Sequence, residues 1–277
     1  MPNFDDATAT MPPADKAGYA RVNGIDLYYA VYGSGRPLIM LHGGFSLGDA
    51  FASVMPVIGA GREVITVDLQ GHGHTADIDR PLLWDAMADD VGELIGFLGL
   101  NKPDLLGYSL GGGVALNLAI RHPELVEKLV LVSTPRRRAD WYPAMQAAMA
   151  HNNAASAEML KGTAMYRAYA AVAPRPEDFG RLADKLGILL GTPYDWSEAV
   201  AKLRLPVLLA YGDADGIPPV NAAAFFALLG GGQRDGNWDG SGMSASRLAI
   251  LPAATHYNIL AAPGLDRMVA DFLDAAR

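Results

Sequence analysis

The strongest constraint on this chain is a pattern that repeats along it: a short continuous apolar run, then a segment with helical spacing of its apolar residues. The runs are "PLIMLHGG", "EVITVDLQG", "PDLLGYS", "KLVLVSTP", "LPVLLAYGD" and "SRLAILP". Each has the length of a strand buried on both faces. Helical spacing occupies 82–99, 111–121, 218–229 and 264–276. This alternation predicts a mostly parallel sheet with helices on both faces, because a parallel crossover lays its helix against the sheet. Ahead of it, "ARVNGIDLYYAVYG" sets Asn23-Gly24 between two alternating runs, the signature of a hairpin with a type I′ turn. With that hairpin the expected α/β sheet has eight strands.

The alternation breaks once, over 136–203, which is rich in Ala, Met and aromatic residues and has helical character. It is read as a helical cap inserted into a core formed by 18–135 and 204–277, with 1–17 as a flexible tail. The tail has acids and prolines where a signal peptide would have a basic start and an apolar run. No stretch reaches the length of a membrane span, so the expectation is a cytoplasmic protein without membrane partners; a homodimer is compatible with the sequence. The net charge is -8, and the only basic cluster is Arg136, Arg137 and Arg138. That leaves no phosphate-neutralising surface, so nucleic acid is not expected as a partner. With no cysteine in the chain, thiolate chemistry and thiolate metal sites are excluded.

In open α/β sheets, ligands bind beyond the carboxyl ends of the strands. There the sequence places His42-Gly43-Gly44-Phe45, Ser109, Asp213 and Asp215, and Thr255-His256. Ser109 sits between Gly107 and Gly111 at a strand-to-helix junction, the context of a nucleophile on a strained turn; an N-cap in a glycine-rich connection is the plainer reading. A serine hydroxyl attacks only when a base takes its proton. Of six histidines, His256 alone follows the last strand run. The imidazole needs a carboxylate to hold its tautomer, and either Asp213 or Asp215 completes the chain order Ser, Asp, His.

Taken together, His42-Gly43-Gly44, Asp68 with Gly71 and Gly73, Gly107-Tyr108-Ser109-Leu110-Gly111, Gly212-Asp213-Ala214-Asp215 with Pro218, and His256 resemble the motifs of the α/β-hydrolase superfamily. The resemblance spans nearly the whole chain. It implies Ser109 as nucleophile, Asp215 as acid and His256 as base, with Asp213 structural. It also implies an oxyanion hole of backbone N–H groups, from Leu110 and from Gly44 or Phe45, with His42 a packed structural residue. Thr255 stands where the family commonly has glycine, and Thr75 where serine is usual. Haloalkane dehalogenases and epoxide hydrolases of this fold attack with a carboxylate, unlike a chain with serine at that position.

"DGNWDGSGMSAS" places Asp235, Asn237, Asp239 and Gly240 as in a calcium loop, but its twelfth position is Ser246 instead of glutamate. It is read as a surface loop. Neither metal nor cofactor is implied. Phe45, Ile217 and Tyr257 adjoin motif residues and are candidates for substrate contact, as are Trp141, Tyr142, Met145 and Tyr166 of the helical segment. The expected activity is hydrolysis of small to medium apolar carboxylic esters. The same constellation suits a lactonase, a C–C bond hydrolase, a cofactor-free perhydrolase or a slow-turnover receptor.

Overall fold

The computed structural model of the protein describes residues 9–275. Eight strands form one sheet: β1 (Lys16–Val22), β2 (Ile25–Gly33), β3 (Arg36–Leu41), β4 (Arg62–Val67), β5 (Asp104–Tyr108), β6 (Leu129–Val132), β7 (Val207–Ala214) and β8 (Arg247–Thr255). Their spatial order is β1-β2-β4-β3-β5-β6-β7-β8. β2 pairs antiparallel with β1 and β4, and every later pairing is parallel. The Asn23-Gly24 turn has φ of 46° and 81°, the left-handed pair that a type I′ hairpin requires. β1 begins at Lys16, inside the stretch read as a tail, and the Asp15 N–H extends its ladder to the Val31 carbonyl. Residues 1–8 of that stretch lie outside the described residues. β8 is an edge strand with an exposed face, unlike the doubly buried run expected of it.

The α-helices are α1 (Met55–Ile58), α2 (Trp84–Phe97), α3 (Leu110–Arg121), α4 (Pro143–Ala150), α5 (Ala154–Leu160), α6 (Ala164–Val172), α7 (Phe179–Gly191), α8 (Ser197–Val200), α9 (Pro219–Leu228) and α10 (Leu265–Asp274). Sequence periodicity gives no sign of α1, because four residues cannot display a 3.6-residue period. Two apolar clusters sandwich the sheet. One holds Ile39, Leu41, Leu105 and Val114 with α2 and α3; the other holds Leu38, Met40, Leu106 and Val130 with α1 and α10. Alternate residues of one strand enter opposite clusters, as the two-residue period of a strand dictates. No helix among the described residues is long and apolar enough to cross a membrane.

Helices α4 to α8 occupy the segment between β6 and β7. The two ends of that segment meet: Arg137 bridges Asp195, Arg138 N–H donates to the Tyr194 carbonyl, and Trp196 N–H donates to the Arg136 carbonyl. α7 is amphipathic and buries Phe179, Leu182, Ala183, Leu186 and Leu189. It is also fastened by charge. The buried Asp77 carboxylate, in the loop after β4, receives Lys185 Nζ at 2.6 Å and Arg181 Nε at 2.8 Å, while Lys185 also donates to the Ile78 and Arg80 carbonyls. α4 buries no side chain, α5 only Ala157 and α6 only Tyr169.

Candidate active site

The junction of β5 and α3 forces Ser109 into φ 52°, ψ -112°, a region that L-residues enter only under strain. Its neighbours permit this because they have no side chains. A Cβ on Gly107 would lie 2.5 Å from the Gly111 carbonyl oxygen, and one on Gly111 would lie 2.1 Å from that of Leu41. The outcome is a hydroxyl lifted clear of the sheet edge at the head of α3.

His256, just beyond β8, lies with Nε2 3.1 Å from Ser109 Oγ and Nδ1 3.1 Å from Asp215 Oδ1. Since Nδ1 faces a carboxylate, the Nδ1–H tautomer donates to Asp215 and leaves Nε2 as an acceptor for the Ser109 hydroxyl. Asp215 follows the irregular end of β7 and is buried, whereas Asp213 is exposed. The geometry thus separates two aspartates that the sequence offers as equals. Burial pushes the Asp215 carboxyl up. The bond and charge of His256, the Ser133 hydroxyl and the Gly212 N–H outweigh this and hold it below the usual carboxylate value. The Ser133 Oγ–H donates to Asp215 Oδ2 from the end of β6, and Tyr108 Oη–H donates 2.6 Å to the His256 carbonyl.

The N–H groups of Leu110, Gly44 and Phe45 have no acceptor among the described residues. Phe45 has φ 58°, a turn that keeps local N–H groups out of regular pairing. His42 fixes the base of that loop. Its Nδ1–H donates 2.7 Å to the Gly43 carbonyl, and Nε2 accepts from Leu69 N–H at 3.1 Å. Burial lowers the His42 pKa, so the imidazole stays neutral and keeps both roles. Of the other histidines, His72 is fully buried, His74 binds Asp68 Oδ2, His122 lies beside Asp89, and His151 caps α4. None of them reaches Ser109.

A sequence profile described as the α/β hydrolase fold matches residues 36–164. The carboxylesterase CesB from Bacillus subtilis superposes with a TM-score of 0.72 at 19% identity, over 96% of this chain and 94% of that one. The chain has the α/β-hydrolase fold. Its relatives include the 2-hydroxymuconate semialdehyde hydrolase of Pseudomonas sp. (strain CF600), 40% identical over 37% of this chain and 38% of the relative. They also include the non-heme chloroperoxidase CPO-A1 of Kitasatospora aureofaciens, 25% identical over 72% and 82%. The more identical match thus spans well under half of that relative's length.

Beside Ser109 the protein holds a cavity of about 220 Å3, lined by Phe45, Trp141, Met145, His256 and Tyr257 among others. Three candidates from the sequence are absent from its walls. Tyr166 packs edge-on against Phe179, with centroids 5.0 Å apart; Ile217 is sealed in the core; Tyr142 turns half outward while its N–H donates to the Gly216 carbonyl. Each adjoins or shares a segment with a lining residue, yet its own side chain is spent elsewhere. Sequence reasoning missed Trp84, Leu186, Leu190 and Tyr194, which do line the cavity, and Ser133, which holds the acid. A polar residue closing β6, between the strands of the serine and the aspartate, is the signal that marks Ser133.

"DGNWDGSGMSAS" closes on itself: Asp235 accepts from Asn237 N–H, Asp239 from Ser241 N–H, and Gly242 N–H donates to the Gly236 carbonyl. No group of three metal-ligating side chains occurs among the described residues.

Proposed function

We propose that this protein cleaves carboxylic esters of small to medium apolar substrates, with Ser109 as nucleophile, His256 as base and Asp215 as acid. The observation that carries the reading is the continuous chain from Ser109 Oγ through both nitrogens of His256 to Asp215, beside N–H groups without acceptors. Ser109 Oγ attacks the carbonyl carbon as its proton passes to His256 Nε2. The Asp215 carboxylate stabilises the imidazolium so formed. The tetrahedral oxyanion accepts from Leu110 N–H and from Gly44 or Phe45 N–H, a contribution worth about two to three orders of magnitude per donor. His256 returns the proton to the leaving alcohol, then takes one from the water that releases the acid from Ser109. No step calls for a cofactor.

In this reading, 136–203 serves as a cap over the cavity. The apolar lining supports an apolar acyl group, and the small volume supports a short one. The test is turnover of p-nitrophenyl acetate, butyrate and octanoate by the native protein beside Ser109→Ala. Hydrolysis lost in the variant and falling off with chain length supports the proposal. No Ser109-dependent turnover on any of the three overturns it.

A further inference from the structure

No Lys, Arg, Asp or Glu lines the cavity beside Ser109. Apart from Ser109 and His256, its polar side chains are Tyr194, Tyr257, Asn152 and the indoles of Trp84 and Trp141. Tyr257 is two-thirds exposed and sets its hydroxyl against Met145 Sδ. Tyr194 is held differently, inside an aromatic wall. Its ring stacks on Trp196 at 4.4 Å and 29° and meets Trp84 edge-on at 5.3 Å, while Trp84 and Trp196 pack at 5.4 Å and 88°. Its backbone carbonyl accepts from Arg138 N–H, where the two ends of the helical segment meet. Rings that fix one another in this way leave little rotamer freedom.

Among the described residues the Tyr194 hydroxyl donates to no acceptor, and the group that stabilises its oxygen is the Trp141 indole. An indole only donates, so it offers the phenol hydrogen no acceptor, and none is present among the described residues. Burial raises the phenol's pKa further, so the group remains a neutral donor. A half-buried donor in the cavity wall with no protein acceptor is satisfied by a ligand that carries an acceptor oxygen.

We propose that Tyr194 is a specificity-determining residue: it donates a hydrogen bond to a neutral oxygen on the part of the ester that fills this cavity. The inference rests on the ester-hydrolase reading and narrows it, from apolar esters in general to esters of short acids bearing an oxo or alkoxy group. A carboxylate is disfavoured, because its desolvation would go uncompensated where no cation lines the wall. Trp84, in the same wall, limits the length.

The test compares p-nitrophenyl pentanoate with p-nitrophenyl 4-oxopentanoate, which differ by one carbonyl. The ratio of kcat/KM for the oxo ester to that for the alkyl ester is read in the native protein and in Tyr194→Phe, which keeps the stacked ring. The ratio is expected to fall about tenfold in the variant, the effect of one neutral hydrogen bond. An equal ratio in the two proteins overturns the proposal. A second measurement separates this outcome from failure of the esterase reading: binding of ethyl 4-oxopentanoate and ethyl pentanoate to Ser109→Ala, with and without Tyr194→Phe, followed by tryptophan fluorescence. A preference for the oxo ester that disappears with the Tyr194 hydroxyl supports the role of Tyr194 even if no ester is turned over. Absence of that preference rejects it, whatever the catalytic result.

Discussion

The loops that close β3, β5 and β6 border the same cavity as α4, yet the two are built in opposite ways. The loops hold Phe45, Ser109 and Ser133 at φ of 58°, 52° and 50°, each over-determined by buried neighbours. α4 buries none of its residues and sends Met145 and Met149 to the cavity as flexible, unbranched side chains. Ser109 therefore stands on backbone that cannot relax, whereas the α4 wall of the pocket is set by side chains on a lightly packed helix.

Ser109→Ala tests the rigid side most severely. Ester turnover should fall by about four orders of magnitude or more, with the thermal midpoint nearly unchanged; a residual rate within tenfold of native would move the nucleophile elsewhere. Next comes Gly111→Ala, whose Cβ meets the Leu41 carbonyl. Its cost should exceed about 3 kcal/mol in urea denaturation, and a smaller cost would show that the strained turn can yield. Removing the buried carboxylate in Asp77→Ala strips Lys185 and Arg181 of their shared partner. A loss of about 2 kcal/mol is expected, discounted because Arg181 is partly exposed.

The pH dependence is gentler. Folded His72 stays neutral down to about pH 3, since burial and the neighbouring His42 both oppose its protonation. An unfolded histidine protonates near pH 6.5, so the unfolded chain gains the extra proton and stability falls as pH drops through that window. The slope is about 1.4 kcal/mol per pH unit for that one proton. His72→Gln should flatten the decline between urea midpoints taken at pH 7 and pH 5, and an unaltered slope would assign it to other groups. The smallest effect belongs to Ile188→Ala. That side chain is 69% exposed on α7, and its removal should shift stability by less than about 0.5 kcal/mol.

The same contrast governs what the sequence reveals. Ser109 and His256 are legible because a strained turn demands glycines at fixed offsets and because strand ends are marked by the close of apolar runs. Asp215 is separable from Asp213 only through the resemblance, until burial and the irregular end of β7 distinguish them. The sheet and its hairpin are legible for a related reason, since strand and helix periods differ. The aromatic wall is not legible. Trp84 opens a helix after β4, whereas Tyr194 and Trp196 lie in a proline-punctuated connection before α8, and no periodicity links them. Tyr166 illustrates the reverse error: an aromatic residue in the right segment whose face is taken by Phe179. A cavity wall made by side chains from distant elements has no local signature.

The meeting of the two ends of the helical segment, at Arg137 and Asp195, has an engineering consequence. A span that enters and leaves through one doorway can be exchanged like a cartridge. Splicing a short turn across Arg138 and Tyr194 asks for the closure of a loop, whose entropy varies slowly with length, and for a graft that again covers the apolar surface and the Asp77 carboxylate that α7 occupies. The four strands bearing Ser109, Ser133, Asp215 and His256 would remain in register, ready to receive a lid grafted from another protein.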